Sequence, residues 1–130
     1  MTDVLNAGCI PWRRRDGMLE VLLITSRHSG NWGIPKGWIE PGQTPAEAAA
    51  QETWEEAGVL GQLSPTPIGT YRKRDYDVAV FLLYVERELD DWPERDERQR
   101  AWFAPHEATA RLENRELTAL IASLHLHLEP

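Results

Sequence analysis

The chain has 130 residues, 42% hydrophobic and 27% charged, with a net charge of −7 and an isoelectric point near 5.1. That length suits one domain spanning residues 1–130 with a proper core, and the acidic balance argues against stable binding of nucleic acid or of an anionic membrane. A single cysteine, Cys9, excludes an internal disulfide; with no leader-like or membrane-length apolar run, a soluble, untargeted, cytoplasmic protein is expected.

Val4–Trp12 reads as a strand and Leu19–Thr25 as a more apolar one, with Asp16-Gly17 between them as a hairpin signal that predicts antiparallel pairing. The run Arg13, Arg14, Arg15 at that turn is read as a solvated tip rather than a phosphate patch. Ser29 to Thr44 is too rich in glycine and proline for a regular helix. A helix then begins with clear punctuation: Thr44 at the N-cap, Pro45 at the first helical position, and Glu47 completing a capping box. Gly58 is the left-handed residue expected to stop it. Ala46, Ala49, Ala50, Thr53 and Ala57 give this helix one small face suited to lying against a sheet.

Ile68–Arg74 and Asp77–Glu86 read as further strands, Leu89–Arg100 as a polar loop, and Ala101–Ala104 as a short strand. Pro105 opens a short helix, and Leu117, Leu120, Ile121 and Leu124 supply the apolar face of a C-terminal one. The order of elements predicts an α/β class fold, a mixed α+β sheet with helices packed on it. Nothing in the pattern specifies an oligomer.

The helix after the Gly-rich loop carries Glu52, Glu55 and Glu56. At 100° per residue Glu52 and Glu56 fall about 40° apart, with Glu55 about 60° from Glu52. Three like charges on one face repel each other unless a cation sits among them. Oxygen ligands of this kind suit a hard divalent metal such as Mg²⁺, which also holds substrate phosphates, with Mn²⁺ as an alternative. Glu52 and Glu56 are best placed as the metal ligands, and a loop carbonyl of Lys36 or Gly37 can add a backbone oxygen. Glu55 is left as the candidate general base that activates a water.

Gly37, Glu52, Glu55, Glu56, Gly58 and Val59 stand at the spacing of the Nudix box, G-x5-E-x7-R-E-U-x-E-E-x-G-U. With the approach Pro35-Lys36-Gly37, the flanking runs SRHSGNWGIPKGW and LDDWPERDERQRAWFAPHEA, and similarity from about Ala7 to Leu124, the chain resembles the diphosphoinositol and diadenosine polyphosphate hydrolase branch of the Nudix superfamily. The resemblance implies a Nudix-like α/β/α sandwich with a loop-helix catalytic motif and Mg²⁺-dependent cleavage of a phosphoanhydride. It implies the Lys36 carbonyl as the backbone metal ligand and Glu55 as the base. It also implies substrate contacts by Arg27 and Arg98. Lys36, Gly37 and Trp38 border the metal loop and join them as candidate substrate-binding residues.

Gln43, Gln51 and Thr53 depart from the box, replacing a glutamate, an arginine and an aliphatic residue. Losing opposite charges at 43 and 51 predicts that an ion pair has become an amide pair. Arg72, Lys73 and Arg74 form a basic cluster that either reaches the cleft or lies in an exposed turn, and His28 ranks below Arg27 as a phosphate contact. His125 and His127 lack a third ligand and are read as surface residues. The remaining tryptophans are read as structural. Val4-Leu5-Asn6 stands where the resembled enzymes carry basic residues, which favours a dinucleoside polyphosphate over a diphosphoinositol polyphosphate as the small phosphorylated substrate. A Nudix-fold module that binds a nucleotide without cleaving it is the alternative from another class.

Overall fold

The structure is a computed structural model and describes residues 4–128. Strand β1 (Val4–Arg15) and strand β7 (Tyr76–Glu88) form its spine, running parallel from Asn6 opposite Val78 to Trp12 opposite Tyr84. Each branches on its outer edge. The far half of β1 pairs antiparallel with β2 (Met18–Thr25) across the predicted hairpin, and its near half pairs with β4 (Lys36–Trp38). On β7, the near half takes β6 (Gly69–Lys73) and the far half takes β5 (Val59–Leu63). The two remaining strands, β3 (Trp32–Gly33) and β8 (Arg100–Phe103), both pair with β2.

Helix α1 (Pro45–Ala57) covers one face of this mixed sheet over Ala7, Cys9, Leu22, Phe81 and Leu83. Helices α2 (Pro105–Ala110) and α3 (Arg115–Ala122) cover the other, over Ile10, Leu23, Val78 and Val80. The expected α/β/α sandwich is the architecture found. The punctuation of α1 is also as read. Thr44 Oγ1 accepts from Glu47 N at 3.1 Å, Glu47 returns a bond to Thr44 N at 2.8 Å, and Gly58 sits at φ 67°. Ala49, Thr53 and Ala57 are buried as predicted, but Ala48 and Glu56 share that burial while Ala46 and Ala50 lie at its margin. Thr53 satisfies its hydroxyl on Ala49 O at 2.7 Å, so it packs where an aliphatic residue was expected.

Three short strands, β3, β4 and β5, were not predicted. Arg13 corrects the reading of the hairpin tip. It is paired with Glu20 at 2.8 Å and Glu88 at 3.5 Å and lies 4.0 Å from the Trp102 ring centroid. β1 runs past Trp12 to Arg15, so Arg13 belongs to the sheet and not to the turn. No helix among the described residues is long and apolar enough to cross a membrane.

Candidate active site

The site forms where β4 ends the near branch of β1. Cys9 N donates to Pro35 O at 3.1 Å and Ile39 N donates to Leu5 O at 3.0 Å, with Gly37 opposite Ala7 between them. In an antiparallel pair the bonded positions alternate, so residues 35, 37 and 39 face β1 and the N–H and C=O of Lys36 turn away from it. On that outer side Lys36 N donates to Glu56 Oε1 at 3.1 Å. The Lys36 carbonyl is therefore directed to the side on which α1 presents Glu56. Gly37 faces α1, and a Cβ there would run into the Glu52 carboxylate. Only glycine lets the loop and helix approach this closely.

Glu52 and Glu56 project from successive turns of α1 toward this loop. Burial, followed by the charges of Glu56, Glu55 and Glu94, pushes the Glu52 carboxyl up to about 7. Burial also raises Glu56, against the opposing pull of Arg98 and of the Lys36 N–H. Arg98 meets Glu56 Oε2 at 3.2 Å, Glu94 Oε1 at 2.8 Å and Thr25 O at 3.1 Å. Glu55 is set aside from this pair. Its Oε1 accepts from Gln51 Nε2 at 2.9 Å, and Gln51 Oε1 accepts from Gln43 Nε2 at 2.7 Å. The predicted amide pair is present, and it continues to Glu55.

Among the described residues no group of three or more His, Cys, Asp or Glu side chains is arranged to hold a metal ion. Two crowded carboxylates beside a main-chain carbonyl nevertheless fit Mg²⁺, which takes one or two carboxylates and keeps water or phosphate for its other positions. The Glu52 carboxyl is raised first by burial and then by the charges of Glu56, Glu55 and Glu94, which a cation there would offset.

Glu56 and Lys36 open onto a cleft of about 630 Å³ between the β2–β3 loop, the β6–β7 turn and the start of α3. Its cationic lining is Arg27, Lys36, Lys73, Arg74 and Arg98, with His28 beside Arg27. Lys73 and Arg74 thus reach the cleft. Arg72 does not line it and pairs instead with Asp77 at 3.3 Å. Arg27 lines the cleft with its guanidinium 3.3 Å from Glu97. Gly37, Trp38, Glu52 and Glu55 lie outside the lining. Trp38 is 54% exposed and packs on Tyr76, which does line it. His125 and His127 are exposed in a turn at Leu124–His127.

Three contributors escaped the sequence reading. Glu94 binds Arg98 and bonds through its N–H to Glu55 O at 3.0 Å. Trp92 Nε1 donates to Glu56 O at 3.1 Å, and the Tyr76 hydroxyl oxygen accepts from Lys36 Nζ at 3.3 Å. Only Glu94 had a signal, its spacing of four residues from Arg98.

The NUDIX domain family model matches residues 3–121. The chain belongs to the Nudix hydrolase family. It is 36% identical over 129 residues to Nudix hydrolase 12, mitochondrial, of Arabidopsis thaliana, covering 80% of this chain and 64% of that protein. Against diphosphoinositol polyphosphate phosphohydrolase 2 of Rattus norvegicus the figures are 34% over 107 residues, 79% and 59%. The chain spans about three fifths of the length of these curated relatives. Among solved structures, a C. elegans Ap4A hydrolase binary complex superposes with a TM-score of 0.79 at 26% identity, over 94% of this chain and 96% of that one. In this Nudix chain the box residues Gly37, Glu52 and Glu56 are the ones drawn together at the loop-helix junction.

Proposed function

We propose that this chain is a single Nudix domain, residues 1–130, acting as a Mg²⁺-dependent pyrophosphohydrolase on a small nucleoside-diphosphate-linked substrate, a dinucleoside polyphosphate above others. The observation that carries the reading is the crowded Glu52–Glu56 pair, beside the outward Lys36 main chain, at the mouth of a cleft lined by cationic side chains. On a chain of net charge −7, such a lining is what lets a polyphosphate approach.

Glu52, Glu56 and the Lys36 carbonyl hold the metal, which when bound supplies charge neutralisation to the phosphoryl oxygens. Glu55, held by Gln51, accepts the proton of the attacking water. Arg27 and Lys36 contact the phosphates, Gly37 gives the loop its close approach, and Trp38 borders the bound substrate. Arg98 has a prior engagement with Glu56 and Glu94. It orients the metal-binding carboxylate and offers phosphate the remaining edge of its guanidinium. The Ap4A hydrolase likeness supports a dinucleoside polyphosphate, and the phosphohydrolase relative supports diphosphoinositol polyphosphate as the second reading. Cys9, buried with its thiol pushed up to about 12, stays protonated and suits a reducing cytoplasm.

The test is phosphate and nucleotide release from diadenosine polyphosphates, ADP-ribose and diphosphoinositols, with and without Mg²⁺, for the chain and for Glu55→Gln. Metal-dependent turnover that falls at least about a hundredfold in the variant is expected. No turnover on any member of the panel would leave a nucleotide-binding module instead.

A further inference from the structure

Asn6 is 1% exposed, and its Oδ1 is buried without a hydrogen-bond partner. A buried acceptor in that state has lost its hydration and gained nothing in exchange, which asks for an explanation. The strand register shows what flanks it. On β1, Asn6 stands opposite Trp38 of β4 on one side and Val78 of β7 on the other. Side chains alternate along a strand, so Asn6 shares the sheet face of Ile10 and Val78, the face onto which the cleft opens.

Trp38 and Tyr76 lie on this same face, from the two strands that flank β1. Their rings meet across it with centroids 4.7 Å apart and planes at 47°, neither stacked nor edge-on. Trp38 remains 54% exposed while Tyr76 lines the cleft and accepts from Lys36 Nζ. An unmet carboxamide oxygen thus lies beside Trp38 on the sheet face that carries this half-open aromatic pair, next to the cationic cleft.

Resting on the hydrolase reading of that cleft, we infer that Asn6, Trp38 and Tyr76 form a nucleobase subsite, in which the aromatic pair parts to stack one planar base and the base edge gives Asn6 the partner it lacks. The unmet atom is an acceptor, which a further phosphate would leave unmet. Aromatic faces gain nothing from a phosphate, and an acceptor oxygen on a neutral carboxamide opposes the acceptor oxygens of one. A base has a π-face for Trp38 and Tyr76 and donor groups on its edge for Asn6. Lys36, its ammonium 5.6 Å from the Tyr76 ring centroid and its N–H on Glu56, stands between base and phosphates.

AMP and ribose 5-phosphate differ only in the base and isolate this contact. Their affinities in the presence of Mg²⁺ are measured by calorimetry for the chain, Asn6→Leu and Trp38→Ala, while NMR follows the Asn6 side-chain amide and Trp38 indole resonances. Asn6 Oδ1 has no partner to lose, so Asn6→Leu removes an unsatisfied buried acceptor, and a thermal scan checks that each variant is folded. The parent is expected to prefer AMP, and both resonances to shift with AMP alone. The preference should shrink roughly tenfold in Asn6→Leu and about ten- to a hundredfold in Trp38→Ala. Equal affinity of the parent for both ligands, or an unchanged preference in both variants, overturns the subsite. Loss in Trp38→Ala alone overturns the part given to Asn6. Hydrolysis without base preference refutes the subsite and spares the hydrolase reading; base preference without hydrolysis does the reverse.

Discussion

Replacing Glu52 by glutamine should stabilise the apo protein and remove its response to Mg²⁺. In the folded chain burial and the charges of Glu56, Glu55 and Glu94 hold the Glu52 carboxyl at about 7, against 4.5 when unfolded. The folded state therefore keeps a proton that the unfolded state has released, so the stability of the parent falls as pH rises from about 4.5 to 7. At about 1.4 kcal/mol per pH unit the full cost above pH 7 would be about 3 kcal/mol. Roughly half of the group faces water, and screening there reduces the cost to about 1–2 kcal/mol. Glu52→Gln sheds that cost, so at pH 8 its thermal midpoint should lie a few degrees above the parent, about 3–8 °C for a chain of this size. At pH 4 the two should melt together. Saturating Mg²⁺ at pH 8 should then reverse the order. At a hundred times its dissociation constant a ligand adds about 2.7 kcal/mol to the form that binds it, and the variant has lost one of the two carboxylates proposed as ligands. Thermal scans at pH 4 and pH 8, with and without Mg²⁺, read all of this. A variant no more stable than the parent at pH 8, or one stabilised equally by Mg²⁺, would refute the claim that Glu52 is a crowded carboxylate awaiting a cation.

Gly37→Ala places a methyl against the Glu52 carboxylate; the displaced ligand should weaken Mg²⁺ binding about 10- to 100-fold by calorimetry. Arg98→Met leaves buried Glu56 without its guanidinium partner, which should cost about 3 kcal/mol in urea unfolding, with Mg²⁺ recovering part of the loss. Thr44→Ala removes the hydroxyl of the capping box and should lower stability by about 1 kcal/mol in the same assay.

Helix α1 was legible to the residue because its signals are local. The N-cap, the proline, the capping box and the left-handed glycine each act within one turn of the chain. Strands β3, β4 and β5 were not legible because their existence depends on partners far along the sequence. β4 is three residues long and is a strand only by virtue of β1. β5 is broken in pattern by Gly61, where a Cβ would collide with Tyr84 O and where the register with β7 slips. A period-two search sees neither.

The same division runs through the site. Gln43 and Gln51 sit at two box positions where the pattern has opposite charges, and Gln51 lies one helical turn before Glu55. The chain Gln43 to Gln51 to Glu55 could therefore be half-read from spacing alone. Arg98 is different. It lies 42 residues from Glu56, in a stretch that reads as polar loop, and its burial follows from the way Trp92 and Glu94 lay that loop over the end of α1. Its part as a phosphate contact is implied by the family resemblance alone. The fold engages all three of its guanidinium nitrogens with protein acceptors, so what remains for substrate is set by Glu56 and Glu94. Because Arg98 shares Glu56 with the Lys36 main chain, changes at Glu94 or Trp92 should be felt at the proposed metal site before they are felt by the phosphates.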